Sequence, residues 1–228
     1  KLEKAPDNTH KDILQPGDWP LFRADSNNNG VVKAATPIRA EDAVLVWANQ
    51  TGEGYGSSAV SSPIIVGGYL YAYARNQIMK FDKDTGAVVA SGTMVASSSF
   101  AINSPTYADG MIFVGLSNGR VQAFNAETLQ SLWIYHDPLE GQPNSPITVC
   151  GDYLYTGFWR SEESPANFVC LSITDEDPAR TDEEKTACWY WTNPGGYYWA
   201  GAYACEDYVL VGTDDGADES TSMTGSLL

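Results

Sequence analysis

Residues 62–89 read SPIIVGGYLYAYARNQIMKFDKDTGAVV, and the stretch recurs in altered form along the chain. Residues 104–133 read SPTYADGMIFVGLSNGRVQAFNAETLQSLW, and residues 145–159 read SPITVCGDYLYTGFW. The Ser-Pro pairs start at Ser62, Ser104 and Ser145, offsets of 42 and 41 residues. A fourth copy, GAYACEDYVLVGTDDG, begins at Gly201 without the Ser-Pro. It arrives late because the third copy carries two polar insertions, RSEESPAN (160–167) and DEDPARTDEEKT (175–186), which are expected to loop out.

Each copy follows one plan. A short run leads into a turn at Gly67-Gly68, Asp109-Gly110, Gly151-Asp152 or Glu206-Asp207, and an alternating strand such as Tyr69-Leu-Tyr-Ala-Tyr73 follows. Then come a second turn (Ser117-Asn-Gly119), a third strand (Val121–Phe124), a turn at Asp82–Gly86 or Asn125–Thr128, and a last strand ending near Trp133. Four antiparallel strands in about 40 residues is the size of one β-propeller blade. The predicted fold is therefore all-β, a propeller of about four blades starting near residues 58, 101, 143 and 200, standing alone or as part of a larger ring. Residues 1–17 are expected to be a flexible N-terminal segment, and residues 18–50 a lead-in with one outer strand. Apolar residues on both faces of the strands fit sheets stacked between neighbours. No helical stripe appears, although DPARTDEEKTA (177–187) reads as a short exposed helix.

Composition narrows the function. With 29 acidic and 13 basic side chains, the net charge of −16 repels nucleic acid and anionic membranes. No apolar run is long enough for a spanning helix, so membrane insertion is not expected, and residues 1–10 lack the apolar core of a signal peptide. Cys150, Cys170, Cys188 and Cys205 match no zinc spacing.

The repeat resembles the PQQ-like, or quinoprotein-type, β-propeller family over about residues 18–228. The resemblance rests on Ser62-Pro63, Gly68, Phe81-Asp82 and Thr85-Gly86 in the first copy. In the second it rests on Ser104-Pro105, Gly110, Asn118-Gly119, Ala123-Phe124-Asn125 and Trp133, and in the third on Ser145-Pro146, Cys170-Leu171 and Trp189. Departures are a missing terminal Trp in the first copy and Leu129 where Gly is usual. The lead-in is similar to that of family members at Trp19, Phe22, Arg23, Asn29 and Gly30, which makes Trp47 the end of an outer strand without inner strands before it.

The lead-in stretch DWPLFRADSNNNG (18–30) offers a weak calcium candidate in Asp25, Asn27 and Asn29. Position twelve of such a loop falls on Thr36, where a bidentate carboxylate is needed, so the favoured reading is side-chain-to-backbone turn bonding. His10 and His136 are too few for convincing acid–base chemistry, and Asp82/Asp84 and Asp214/Asp215 sit in turns. The resemblance implies a quinone held by a tryptophan and two adjacent cysteines, with calcium beside it. This chain has no Cys-Cys pair, so PQQ and calcium are not expected.

Cys170 and Cys188 fall on the third and fourth strands of one blade, where a disulfide can form. Cys150 and Cys205 hold equivalent turn positions in successive copies, too far apart to bond. Trp159, Arg160, Tyr197, Tyr198 and Trp199 form a candidate ligand or partner surface, against the competing reading of aromatic packing between blades. The expected function is a non-enzymatic binding or scaffold module of a secreted or surface bacterial protein, taking a protein or carbohydrate partner, with self-association if the ring is incomplete. The alternatives are a PQQ-dependent dehydrogenase-like protein and an outer-membrane-assembly-type propeller that binds partner proteins.

Overall fold

The computed structural model of the chain describes residues 14–25, 28–31, 38–51, 61–97, 103–197, 199, 201–214 and 226–228. Blade A contains β1 (Ile64–Val66), β2 (Tyr69–Ala74), β3 (Gln77–Asp82) and β4 (Val88–Thr93), hydrogen-bonded in that order. Blade B repeats the plan with β5 (Thr106–Ala108), β6 (Met111–Leu116), β7 (Arg120–Asn125) and β8 (Ser131–His136). Blade C uses β9 (Thr148–Cys150), β10 (Tyr153–Gly157), β11 (Ala166–Ser172) and, after an excursion through β12 (Glu183–Lys185), β13 (Trp189–Asn193). The fourth copy pairs β14 (Tyr203–Ala204) with β15 (Val209–Leu210), and β16 (Gly212–Thr213) with β17 (Ser226–Leu227). All neighbours within a blade are antiparallel.

Alternation within single strands explains why the blades stack. Ile112 and Val114 of β6 share a core with Ile64, Tyr71 and Ile78 of blade A. Their β6 neighbours Met111 and Phe113 point the other way, into a core with Trp133, Leu154, Val169 and Leu171 that joins blades B and C. A third core joins Tyr155, Phe168 and Tyr197 to Ala204 and Val211 of the fourth copy. A strand's period of two thus feeds two interfaces from one sheet, leaving neither face for water. Polar ties cross the same seams: Tyr71 OH donates to the Ala126 carbonyl (2.8 Å), Thr106 Oγ1 to Ile147 (3.0 Å) and Thr148 Oγ1 to Ala202 (2.8 Å).

Two tryptophans dock on a neighbouring blade in the same way. Trp133 Nε1 donates to the carbonyl of Ile173, just past β11 (3.3 Å), and Trp47 Nε1 donates to Lys83, just past β3 (2.8 Å). Trp47 therefore sits on blade A as Trp133 sits on blade C, but the outer strand expected to end at Trp47 is not formed: residues 43–51 have no ladder partners among the described residues, and Val44, Leu45 and Val46 are exposed. The Trp47 ring stacks on Phe81 at 6.1 Å and lies over Gly86. A Cβ on Gly86 would come within 2.5 Å of that ring, and the residue has φ +72°. Gly86→Ala is expected to cost about 1–3 kcal/mol in urea unfolding, from overpacking plus left-handed strain.

The lead-in ties several blades together. Trp19 exchanges backbone hydrogen bonds with Ile65 of blade A, Pro20 accepts from Tyr107 of blade B (2.7 Å), and Asn28 Nδ2 donates to Ala202 ahead of β14 (3.3 Å). Asp18 caps the Gly67 N–H (2.8 Å). DWPLF is thus the stretch that crosses the inner strands of blades A and B.

The sequence reading of residues 177–187 as a short helix is corrected. Its second half is β12, which pairs in parallel with β8 as a fifth strand on the outer edge of blade B. Lys185 fixes it there. Nearly fully buried, its ammonium lies 5.3 Å from the Trp133 ring centre, donates to the Thr174 carbonyl, and pairs with Glu176 (3.3 Å) and Glu183 (3.6 Å).

Candidate functional site

The aromatic cluster expected from the sequence divides in space. Tyr197 is fully buried, in keeping with aromatic packing between blades rather than with a ligand surface. Its ring packs on Phe168 at 5.3 Å, its hydroxyl donates to Trp191 O (3.2 Å), and Gly157 opposite leaves room that a Cβ would close to 2.5 Å. Trp199 is exposed, with φ +61°. Trp159 is half-buried, its backbone paired with Gln142, while Arg160 is exposed and donates to Pro165 O (3.3 Å). Tyr198 lies outside the described residues.

What the structure adds is an edge. β13 is the outermost strand of blade C, and no described strand pairs with its far side. Tyr190 and Trp191 are adjacent, so they point to opposite faces, yet they are 57% and 60% exposed. On one face, Phe168, Trp189, Trp191, Tyr197, Val209 and Leu228 line an apolar groove of about 310 Å³. On the other, Tyr190 joins His136, Glu184 and Lys185 around a more polar hollow of about 240 Å³. The sequence signal was the alternating Trp189-Tyr-Trp191, but only the sheet order shows that it forms an edge.

A polar chain crosses beneath this edge from blade B to blade C. Asp137 is fully buried. Its carboxyl group accepts from Tyr135 OH (3.0 Å), Leu139 N (2.9 Å) and Asn167 Nδ2 (3.0 and 3.2 Å), and Thr192 Oγ1 donates to Asn167 Oδ1 (2.6 Å). Burial, then the Asp137 charge, pushes the Tyr135 phenol far above its ordinary range.

The remaining candidates occupy turns. Asp25 Oδ1 accepts the Asn29 N–H (3.1 Å), the bonding a turn requires, and Asn27 lies outside the described residues. Asp82 Oδ1 accepts from Thr85 Oγ1 and N (2.8 Å each) and from Asp84 N (3.1 Å); the Thr85 bonds lead in lowering its pKa. Asp214 lends its carbonyl to Asn193 Nδ2 (2.7 Å), while Asp215 and His10 lie outside the described residues. His136 stands 3.7 Å from Glu140 on the surface. Among the described residues no group of three His, Cys, Asp or Glu is placed to hold a metal ion.

All four cysteines are free thiols. Cys170 stands directly opposite Trp189 rather than Cys188, one residue from the alignment expected. Cys188 nevertheless donates its N–H to Cys170 O (2.9 Å). Cys150 and Cys205 are half-buried, and burial raises the Cys150 thiol.

A family model described as "Outer membrane protein assembly factor BamB" matches residues 28–163, more than half of the chain. The chain belongs to this BamB-type family of PQQ-like repeat propellers. No curated protein matches it. Among solved structures, this BamB-type chain is similar to BamB from Moraxella catarrhalis, at TM-score 0.50 and 19% identity over 68% of this chain and 40% of that one. It is also similar to the quinohemoprotein alcohol dehydrogenase from Comamonas testosteroni, at TM-score 0.60 and 18% identity over 79% of this chain and 28% of that one. The computationally designed Ika4 protein matches at TM-score 0.52 and 12% identity, over 80% of this chain and 98% of that one. The BamB-type chain thus spans less than half the length of both natural proteins. At these identities the likeness is one of fold, shared by a factor and an enzyme alike.

Proposed function

We propose that the chain is a non-enzymatic binding module of a secreted or surface bacterial protein, and that it takes an extended segment of a partner protein along the outer edge of blade C. One observation carries this reading: among the described residues β13 is an edge with no strand on its far side, Tyr190 and Trp191 are exposed on its two faces, and an apolar groove lies beside it. Edge strands accept extended peptides through backbone hydrogen bonds, with alternate side chains filling pockets on either face. The corresponding edge of blade B is already filled in this way by β12, so the chain carries its own example of strand addition. The net charge of −16 selects a basic segment, and Lys185 on β12 is an example of a lysine settling between a tryptophan and two glutamates. The family's name, an outer-membrane assembly factor, supports a protein partner rather than a carbohydrate.

The dehydrogenase-like neighbours raise a quinone. The sequence contains no adjacent cysteines, and the described residues include no carboxylate cluster suited to calcium, so the residues present do not fit that group. The proposed function has no quinone step.

The test uses fluorescent ten-residue peptides alternating apolar residues with lysine. Trp191→Ala is expected to weaken binding about tenfold, as loss of an aromatic anchor does, and lysine-to-glutamate peptides should fail to bind. Equal binding by wild type and variant would contradict the site. A quinone chromophore that stays with the protein through gel filtration after addition of PQQ and calcium would favour the dehydrogenase-like alternative instead.

A further inference from the structure

The excursion that carries β12 leaves blade C after β11 and returns at β13, and a cysteine stands on each side of its neck. Cys188 donates its N–H to Cys170 O while Cys170 is aligned with Trp189, so two residues of the returning chain face one residue of β11. That is a β-bulge. The third and fourth strands of blades A and B shift register at the equivalent place, at Lys80/Phe81 and Gln122/Phe124, so the irregularity belongs to the repeat. In blade C its effect is to seat Cys188 beside Cys170 at the neck of the excursion, with the Cys188 N–H on the Cys170 carbonyl. Cys170 is completely buried, with Tyr155 directly opposite on β10, whereas Cys188 is exposed. One thiol is open to solvent, and its partner waits behind it.

We propose that Cys170 and Cys188 are a redox pair that closes the neck of the β12 strap by exchange with a small external disulfide. The exposed Cys188 thiolate attacks one sulfur of the external disulfide RSSR, breaking its S–S bond, and RS⁻ leaves to take up a proton from water. Cys170 then loses its proton to water, and its thiolate attacks the Cys188 sulfur of the mixed disulfide, expelling the second RS⁻, which is protonated in turn. Two protein thiols and RSSR thus become one protein disulfide and two RSH. Burial pushes the Cys170 thiol up to about 12, so the second step is the slow one and accelerates with pH.

Closure has a structural consequence that the neck alone would not suggest. Residues 171–187, enclosed by the bond, contain β12 on blade B and the Lys185 anchor against Trp133. The disulfide therefore ties both ends of an inter-blade strap to blade C. This inference is independent of the binding surface on β13.

The experiment incubates the reduced full chain with oxidised glutathione at pH 8. Expected are a mass loss of about 2 Da, disappearance of two of the four thiols, and, after digestion with trypsin and chymotrypsin together, which cut between Cys188 and Cys205, a non-reduced peptide pair joining Cys170 to Cys188. Cleavage after Arg180, inside the strap, should leave the two sides joined until reductant is added. Thermal unfolding of the oxidised chain should shift upward on the order of 5–10 °C. Cys170→Ala should stop at a stable glutathione adduct of roughly 305 Da on Cys188, the trapped intermediate of the exchange. Persistence of four free thiols, a Cys150–Cys205 linkage in place of the predicted pair, or an adduct on wild type that never resolves would each overturn the proposal. Because the wild-type peptide map decides alone, a poorly folding variant does not rescue it.

Discussion

Trp133→Ala is expected to lower the unfolding free energy by about 3–5 kcal/mol, the range for truncating a large buried aromatic. The side chain has no exposed surface and takes part in three contacts at once. It packs on Phe113 at 5.7 Å within its own blade, reaches across to the Ile173 carbonyl of blade C, and lies beneath the Lys185 ammonium of the strap. Removing the ring leaves a cavity in the core between blades B and C. It also strips Lys185 of its aromatic partner, in a place where a buried ammonium depends on its neighbours. Urea unfolding followed by circular dichroism measures the loss. Trp133→Phe should recover much of the packing without the hydrogen bond to Ile173, and a cost below about 1 kcal/mol for Trp133→Ala would mean that the ring is not the core residue described.

Asp137→Ala is the second large effect, expected near 3 kcal/mol in the same assay. The substitution orphans Tyr135 OH, Asn167 Nδ2 and Leu139 N together, and each buried donor left unpaired costs about 1–3 kcal/mol. The loss should be specific to the seam. Because Asn167 lies on β11 and Asp137 follows β8, hydrogen exchange should quicken in both strands while blade A is spared. Asp137→Asn should be milder, since one amide oxygen still accepts. Loss confined to blade B alone would contradict a network shared between blades.

The parts of the fold legible in the sequence are those governed by local chemistry. Gly67-Gly68, Asp109-Gly110 and Gly151-Asp152 all lie at the turns between first and second strands, because left-handed turns demand these residues and the flanking apolar alternation permits nothing but strands. Trp47 stood out through the family resemblance as the end of an outer strand, but its seat on Phe81 and Lys83 of blade A was not legible, and the strand itself does not form. What escaped depends on which surfaces meet. Residues 183–185 are Glu-Glu-Lys, with no strand periodicity of their own; their extended form comes from the free edge of β8 and the seat for Lys185 beneath the strap. The sequence left Tyr197 between a partner surface and blade packing along with its aromatic neighbours, and Gly157, a bare position in an otherwise apolar strand, was the one hint of a ring packed against it. Asp137 and Asn167 stand 30 residues apart, and nothing in their spacing signals a bond. The offset between Cys170 and Cys188 comes from a bulge, which repeat alignment does not resolve.

Stacking of successive repeats face to face is the claim on which these readings depend, and nuclear Overhauser contacts in isotope-labelled protein test it most directly. The stacked arrangement predicts cross-peaks between Gly92 Hα and the Phe124 ring, between the Trp133 indole N–H and Ile173, and between Gly157 and the Tyr197 ring. Absence of those cross-peaks, with cross-strand contacts instead joining β4 to β5 in one continuous flat sheet, would contradict it.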